Sequence, residues 1–196
     1  MRKIILVSGY PAAGKSTFAR RLSEHLQIPC FNKDTIKEAL ADGFGPSSQE
    51  AYNKGSAATF NIMAHIAECL LQVSKPCILE SNFRVQEGER IEELLEKHGA
   101  SCLTFVFTGD LDVLYNRYAK RARERHWVHR GPGDRDDFKD GLARHKAGHI
   151  HIRAGEIVTV DTTDFDKIDY GALFDLAKRF IQNHIPHLHL HHPNPH

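Results

Sequence analysis

With 196 residues, 41% of them hydrophobic and 26% charged, and a formal net charge of +1, the chain can bury one substantial core and reads as a single domain of the soluble-enzyme class, not as a fibrous, secreted or membrane protein. Its near-neutral balance gives no global argument for a nucleic-acid or lipid partner. Asn61, His65 and Glu68 break the most hydrophobic helical stretch, and the apolar run at the N-terminus is too short for a secretion signal, so a cytoplasmic protein without a membrane span is expected. Cys30, Cys69, Cys77 and Cys102 lack C-x-x-C spacing and sit in apolar surroundings, which predicts packed thiols in place of a metal site or disulfide framework.

The first predicted strand, Ile4 to Val7, runs into Gly9-Tyr10-Pro11-Ala12-Ala13-Gly14-Lys15-Ser16-Thr17, which has the spacing G-x-x-x-x-G-K-[ST]. A chance match in a chain of this length is roughly a one-in-a-hundred event on average composition. Phe18 to Leu22 then opens an amphipathic helix, so the loop lies between a strand and a helix N-terminus. Loop N–H groups and the positive helix end surround a polyphosphate there, Lys15 bridges its terminal phosphates, and Ser16 can ligate Mg²⁺. Residues 9–17 are accordingly expected to bind ATP. Ala12, if it must take positive φ, would carry a strain of roughly 1–2 kcal/mol.

A second strand, Pro29 to Phe31, ends at Asn32-Lys33-Asp34. Asp34 has two readings: a base that accepts a proton from an attacking hydroxyl or a ligand of the acceptor, and an N-cap for the helix that Asp34 to Glu38 opens. Gly43-Phe44-Gly45-Pro46 then separates this segment from a long helix, about Ser48 to Val73. Lys75-Pro76 precedes the third strand, Cys77 to Leu79, which ends at Glu80-Ser81-Asn82. Glu80 stands like a Walker B acid, able to hold Mg²⁺ through water or to bind the acceptor, or else is an ordinary exposed strand terminus. Asn82 and Arg84 are further candidates for contacting the acceptor.

Next come a helix from about Val85 to His98 closed by Gly99, a strand from Leu103 to Phe107 ending at Thr108-Gly109-Asp110, and a helix from about Asp110 to Arg125. Arg117 and Arg121, four apart, share one face of that helix. Between Arg117 and Arg130 six Lys/Arg face a single acid, Glu124. The stretch of about 123–151, with Trp127 and Gly131-Pro132-Gly133, reads as a basic, Gly-hinged lid, with a solvated loop as the plainer reading. Trp127 could stack on a base. The last strand, Ile157 to Val160, and the last helix, about Lys167 to Asn183, complete a domain spanning 1–183. A tail of 184–196 carries six histidines, more in keeping with a His-rich end than with a metal site of fixed geometry. Alternating strands and helices predict an α/β fold: a central parallel sheet of about five strands, helices on both faces, and the ligand at the strands' C-terminal ends.

The phosphate loop, Asn32-Lys33-Asp34-Thr35-Ile36-Lys37, Glu80-Ser81-Asn82 and Asn116-Arg117-Tyr118-Ala119-Lys120-Arg121, in that order, resemble the small P-loop kinases of the nucleoside-monophosphate-kinase fold. The likeness is to the group of AAA-type kinases, polynucleotide 5′-kinase domains, chloramphenicol phosphotransferase and zeta-toxin-like kinases. It covers nearly the whole chain, and its specificity rests mainly on the phosphate loop. The resemblance implies that Lys15 follows the transferred phosphate, Ser16 ligates magnesium, Thr17 neighbours the α-phosphate, and Asp34 activates the acceptor hydroxyl. Lys37 falls where polynucleotide kinases place a basic residue on the acceptor's phosphate, as a point charge in place of the usual bidentate arginine. Arg117 and Arg121 match paired arginines leading into the lid, one near adenine and one on the β/γ-phosphates. Thr162, after the last strand, falls where similar kinases wrap the base. The expected function is an ATP- and Mg²⁺-dependent phosphotransferase acting on a hydroxyl, most simply of a small molecule. Alternatives are a polynucleotide 5′-hydroxyl kinase using the basic segment as a nucleic-acid surface, and a non-kinase NTP-driven regulator.

Overall fold

A computed structural model describes residues 2–45, 49–129, 135–146 and 155–183. Strands β1 (Lys3–Gly9), β2 (Cys30–Asn32), β3 (Cys77–Glu80), β4 (Ser101–Thr108) and β5 (Glu156–Asp161) form one parallel sheet in the order β2-β3-β1-β4-β5. Helices α1 (Lys15–Leu26), α2 (Lys33–Phe44), α3 (Gln49–Gln72), α4 (Val85–His98), α5 (Leu111–Arg121), α6 (Arg135–Lys146) and α7 (Tyr170–Gln182) connect and follow the strands. No helix among the described residues is long and apolar enough to cross a membrane.

Alternation along β1 builds both layers of the core. Ile5 and Val7 pack in a cluster with Phe18, Leu22, Phe105 and Phe107; Ile4 and Leu6 pack in another with Met63, Leu71, Leu79 and Leu94. A parallel sheet covered on both faces needs such a continuous apolar strand, because successive side chains point to opposite sides. Phe18 fixes α1 to the sheet through edge and tilted contacts with Phe105 and Phe107, at centroid distances of 5.1 and 4.9 Å. At the opposite end of β1 from the phosphate loop, Lys3 donates to the carbonyls of Phe180 and Asn183 and so closes the C-terminus of α7.

Three expectations need adjustment. The Gly43–Pro46 break comes later than expected: α2 continues through Gly43 to Phe44 and stops at Gly45, whose φ is 77°. Part of the segment read as a lid, Arg135–Lys146, is a helix whose Phe138 and Leu142 are buried in the core beside Tyr115 and Tyr118. Their i, i+4 spacing is the signal for that helix, masked by eight charged or polar neighbours and Gly141. Cys77 and Cys102 are buried and Cys30 partly so, with burial raising their thiols to about 12, but Cys69 is exposed on α3. The hinge at 131–133 and the tail at 184–196 lie outside the described residues.

Candidate active site

The phosphate loop leaves β1 through three residues at positive φ: Gly9 at 126°, Ala12 at 60° and Gly14 at 85°. Gly9 admits no side chain, since a Cβ there would lie 2.0 Å from the Phe107 carbonyl oxygen on β4. Ala12 does adopt the strained left-handed conformation, a local cost of roughly 1–2 kcal/mol held in place by the surrounding loop. No side chain caps α1, so the N–H groups of its first turn remain for an anionic ligand.

Lys15 folds over the loop and is 7% exposed, its Nζ donating to the Tyr10 carbonyl at 2.8 Å. Burial holds its ammonium below the ordinary lysine range against the pull of Glu80 and Asp34, with Arg121 and Arg125 adding to the depression. Glu80 ends β3 directly opposite Asn32 on β2 and Val7 on β1. It is buried, not the exposed terminus that was one expectation, and it accepts from Ser16 Oγ at 3.1 Å and from Asn32 Nδ2. Burial pushes the Glu80 carboxyl up, with Asp34 reinforcing that shift and Lys15, Ser16 and Arg121 opposing it. A hydroxyl and a carboxylate this close form a hard-oxygen donor set, which fits Mg²⁺ at Ser16 with Glu80 as direct or water-mediated partner.

Asp34 lies in the first turn of α2 but does not cap it. That task falls to Asn32, whose Oδ1 accepts from the Thr35 N–H at 3.0 Å. The Asp34 side chain is left in the cleft, where Arg125 Nη2 donates to it at 3.2 Å. A cleft of about 290 Å³ runs from residues 11–17 past Asp34 and Lys37 to Glu80, Asn82 and Arg84, with Arg121 and Arg125 also on its wall. Lys33 and Glu87 form a buried ion pair within it, and Glu87 also accepts the Arg84 N–H at 3.1 Å, which fixes the start of α4.

Arg117 and Arg121 diverge despite their shared helix face. Arg121 lines the phosphate cleft. Arg117 turns to the loop after β5, donating to the carbonyls of Thr162 and Thr163 at 2.6 and 3.0 Å and stacking 3.9 Å above the Phe165 ring. Phe165 in turn lies against Gly14, where a Cβ would be 3.0 Å from its ring. Thr162 is fully buried and its hydroxyl donates to the Thr108 carbonyl at 2.6 Å, so its side chain braces the sheet edge while its carbonyl holds Arg117. Sequence reading did not single out Lys33, Glu87, Arg125, His129 or Phe165 as site residues. A usable signal was present for Arg125 and His129, because the acids of α2 recur at Asp34, Glu38 and Asp42, and Glu38 pairs with His129 at 2.7 Å and Asp42 with His126 at 2.9 Å.

Comparison with known proteins agrees with this geometry. Residues 4–147 match the family described as AAA domain. The structure is similar to that of a candidate kinase from Chloroflexus aurantiacus, with TM-score 0.78, 31% identity, and 92% of this chain and 96% of that one covered. An adenylate kinase of Kocuria rhizophila is 27% identical over 164 residues, covering 80% of this chain and 83% of that protein. A shikimate kinase of Flavobacterium johnsoniae is 26% identical over 190 residues, covering 90% and 100%. The family match spans most of the chain and the likeness to the Chloroflexus protein nearly all of it, so the chain belongs to this AAA-domain family as a small P-loop kinase of the nucleoside-monophosphate-kinase type, a phosphotransferase that uses ATP.

Proposed function

We propose that the protein transfers the γ-phosphoryl group of ATP to a hydroxyl of a small-molecule acceptor, with Asp34 as the proton acceptor. The observation that carries this reading is the Asp34 carboxylate, which stands in the cleft beside the phosphate loop while Asn32 takes over the helix cap. The acceptor oxygen attacks the γ-phosphorus, the bond from that phosphorus to the β-phosphate bridging oxygen breaks, and the hydroxyl proton passes to Asp34 and then to solvent. ADP and a phosphate monoester leave. Lys15 and Arg121 supply positive charge where it develops on the transferring group. Mg²⁺ bound at Ser16 and Glu80 would neutralise charge on the β- and γ-phosphates.

Small acceptors are favoured over polynucleotides because part of the basic segment is engaged within the protein: Arg125, His126 and His129 pair with Asp34, Asp42 and Glu38 of α2. The test is a screen with labelled ATP across nucleosides, sugars, antibiotics and 5′-hydroxyl oligonucleotides. A phosphate monoester of a small alcohol, absent when Lys15→Ala is used, is expected. Preferential labelling of oligonucleotides with steep salt dependence would point to the polynucleotide kinase, and ATP hydrolysis without transfer to any acceptor would point to a regulatory NTPase.

A further inference from the structure

Lys37 lines the phosphate cleft. The same lysine also lines a second cavity of about 540 Å³ between α2 and α3. Its apolar walls are Leu40, Ala41 and Phe44 from α2, Ala58 and Ile62 from α3, and Val128 from the segment that carries Arg125 and His129. Among the described residues lining it, charge comes from Lys37 and Lys54 alone, and the Thr59 hydroxyl is turned back to the Gly55 carbonyl at 2.7 Å. Phe44 is 85% exposed and Ile62 39%, apolar surface that a monomeric protein rarely gathers in one place without a ligand.

We infer that this groove holds the apolar body of the phosphoryl acceptor, an alcohol with an aromatic or alkyl portion about 10 Å from its hydroxyl. The inference rests on the proposed reaction and adds the class of its substrate. Three observations choose this occupant over a partner protein. The groove and the cleft share Lys37, so the two adjoin. Asp34, Lys37 and Ala41 follow each other at intervals of three and four along α2, which puts them on one face and sets Ala41 about 10 Å beyond Asp34 at the helical rise. Val128 closes the groove from the segment whose Arg125 and His129 pair with Asp34 and Glu38, so the wall of the apolar part and the reacting end belong to one assembly.

The experiment uses the full chain, labelled ATP, a series of phenylalkan-1-ols of increasing methylene number, and glycerol as a polar alcohol. The expected result is a kcat/KM at least roughly tenfold higher for a phenylalkanol of matching length than for glycerol, peaking within the series. Ala58→Trp, at an exposed position of α3, fills the groove and should lower that ratio roughly tenfold, chiefly through the KM of the phenylalkanol. Phe44→Ala should lower it less. Circular dichroism and thermal melts establish that both variants are folded.

Transfer to glycerol and other short polyols with no preference for the aryl chain, or a preference that Ala58→Trp leaves unchanged, overturns the groove assignment while the kinase reading stands. Absence of transfer to every alcohol, polar or apolar, overturns the kinase reading and the inference with it. A concentration-dependent dimer that Ala58→Trp dissociates without altering the acceptor ratio overturns the inference in favour of a second copy as the occupant.

Discussion

Arg125 donates to the Asp34 carboxylate at 3.2 Å, joining the segment after α5 to the first turn of the helix that faces the phosphate loop. Two further pairs, His129 with Glu38 and His126 with Asp42, continue the contact along α2 at intervals of four residues. These three contacts tie α2 to this basic segment. Arg125 also lines the phosphate cleft, so the group that pairs with Asp34 can also meet negative charge arriving with ATP.

Asp34→Asn keeps the shape of the side chain and leaves the α2 cap intact, because the cap belongs to Asn32. The Asp34 side chain is 58% exposed, so loss of its ion pair should cost little stability, in the range of about 0–1 kcal/mol. Transfer should nevertheless fall by roughly 10²–10⁴ as the proton acceptor is lost. Thermal melting beside single-turnover kinetics tests both halves. A folded and fully active variant would remove Asp34 from the reaction.

The sheet and phosphate loop were legible because both are local signals: apolar runs of strand length, and glycines at fixed offsets before Lys15. The strand ends named Asp34 and Glu80 by the same logic. Two features were not legible. That Asn32 caps α2, freeing Asp34, depends on one side-chain rotamer at a position where either residue could cap. That Arg117 and Arg121 part company, and that Arg125 reaches Asp34 across 91 positions, depends on where the loop after β5 and the start of α2 come to lie, a long-range outcome without a periodic pattern. Thr162 shows another limit: the sequence placed it after the last strand but not its burial, and its hydroxyl is spent on the Thr108 carbonyl while the exposed aromatic there is Phe165.

Glu80 links stability to pH. Burial raises its carboxyl in the folded protein above the range it has when unfolded, so the folded state binds that proton more tightly. Stability from this group is fully present in acid, below the ordinary carboxylate range, and is lost as pH rises through the raised folded value. Glu80→Gln stays neutral throughout. Without ATP or metal, the variant should melt above the wild-type protein at neutral pH, and the difference should vanish in acid. Transfer should fall roughly 10–100-fold, because the carboxylate that supports the cation at Ser16 is gone. A variant that melts lower at neutral pH, with Mg²⁺-dependent activity intact, contradicts the assignment.

Arg117 and Arg121 should fail in different ways when truncated. Arg117 is held by the carbonyls of Thr162 and Thr163 and stacks on Phe165, contacts that exist before any ligand arrives and that shape the loop beside Gly14. Arg117→Ala should chiefly raise the KM for ATP with a smaller effect on kcat, and Arg117→Lys should not restore it, since one ammonium cannot span two carbonyls and stack on a ring. Arg121 lines the phosphate cleft, where its charge matters most as negative charge gathers on the transferring group. Arg121→Ala should therefore lower kcat by roughly 10²–10³ while the ATP KM changes little. Steady-state kinetics on the two variants with an acceptor from the screen decides the matter. Equal losses in both parameters for both variants would show that the two arginines act as one unit, and unchanged kinetics would show that neither meets the nucleotide.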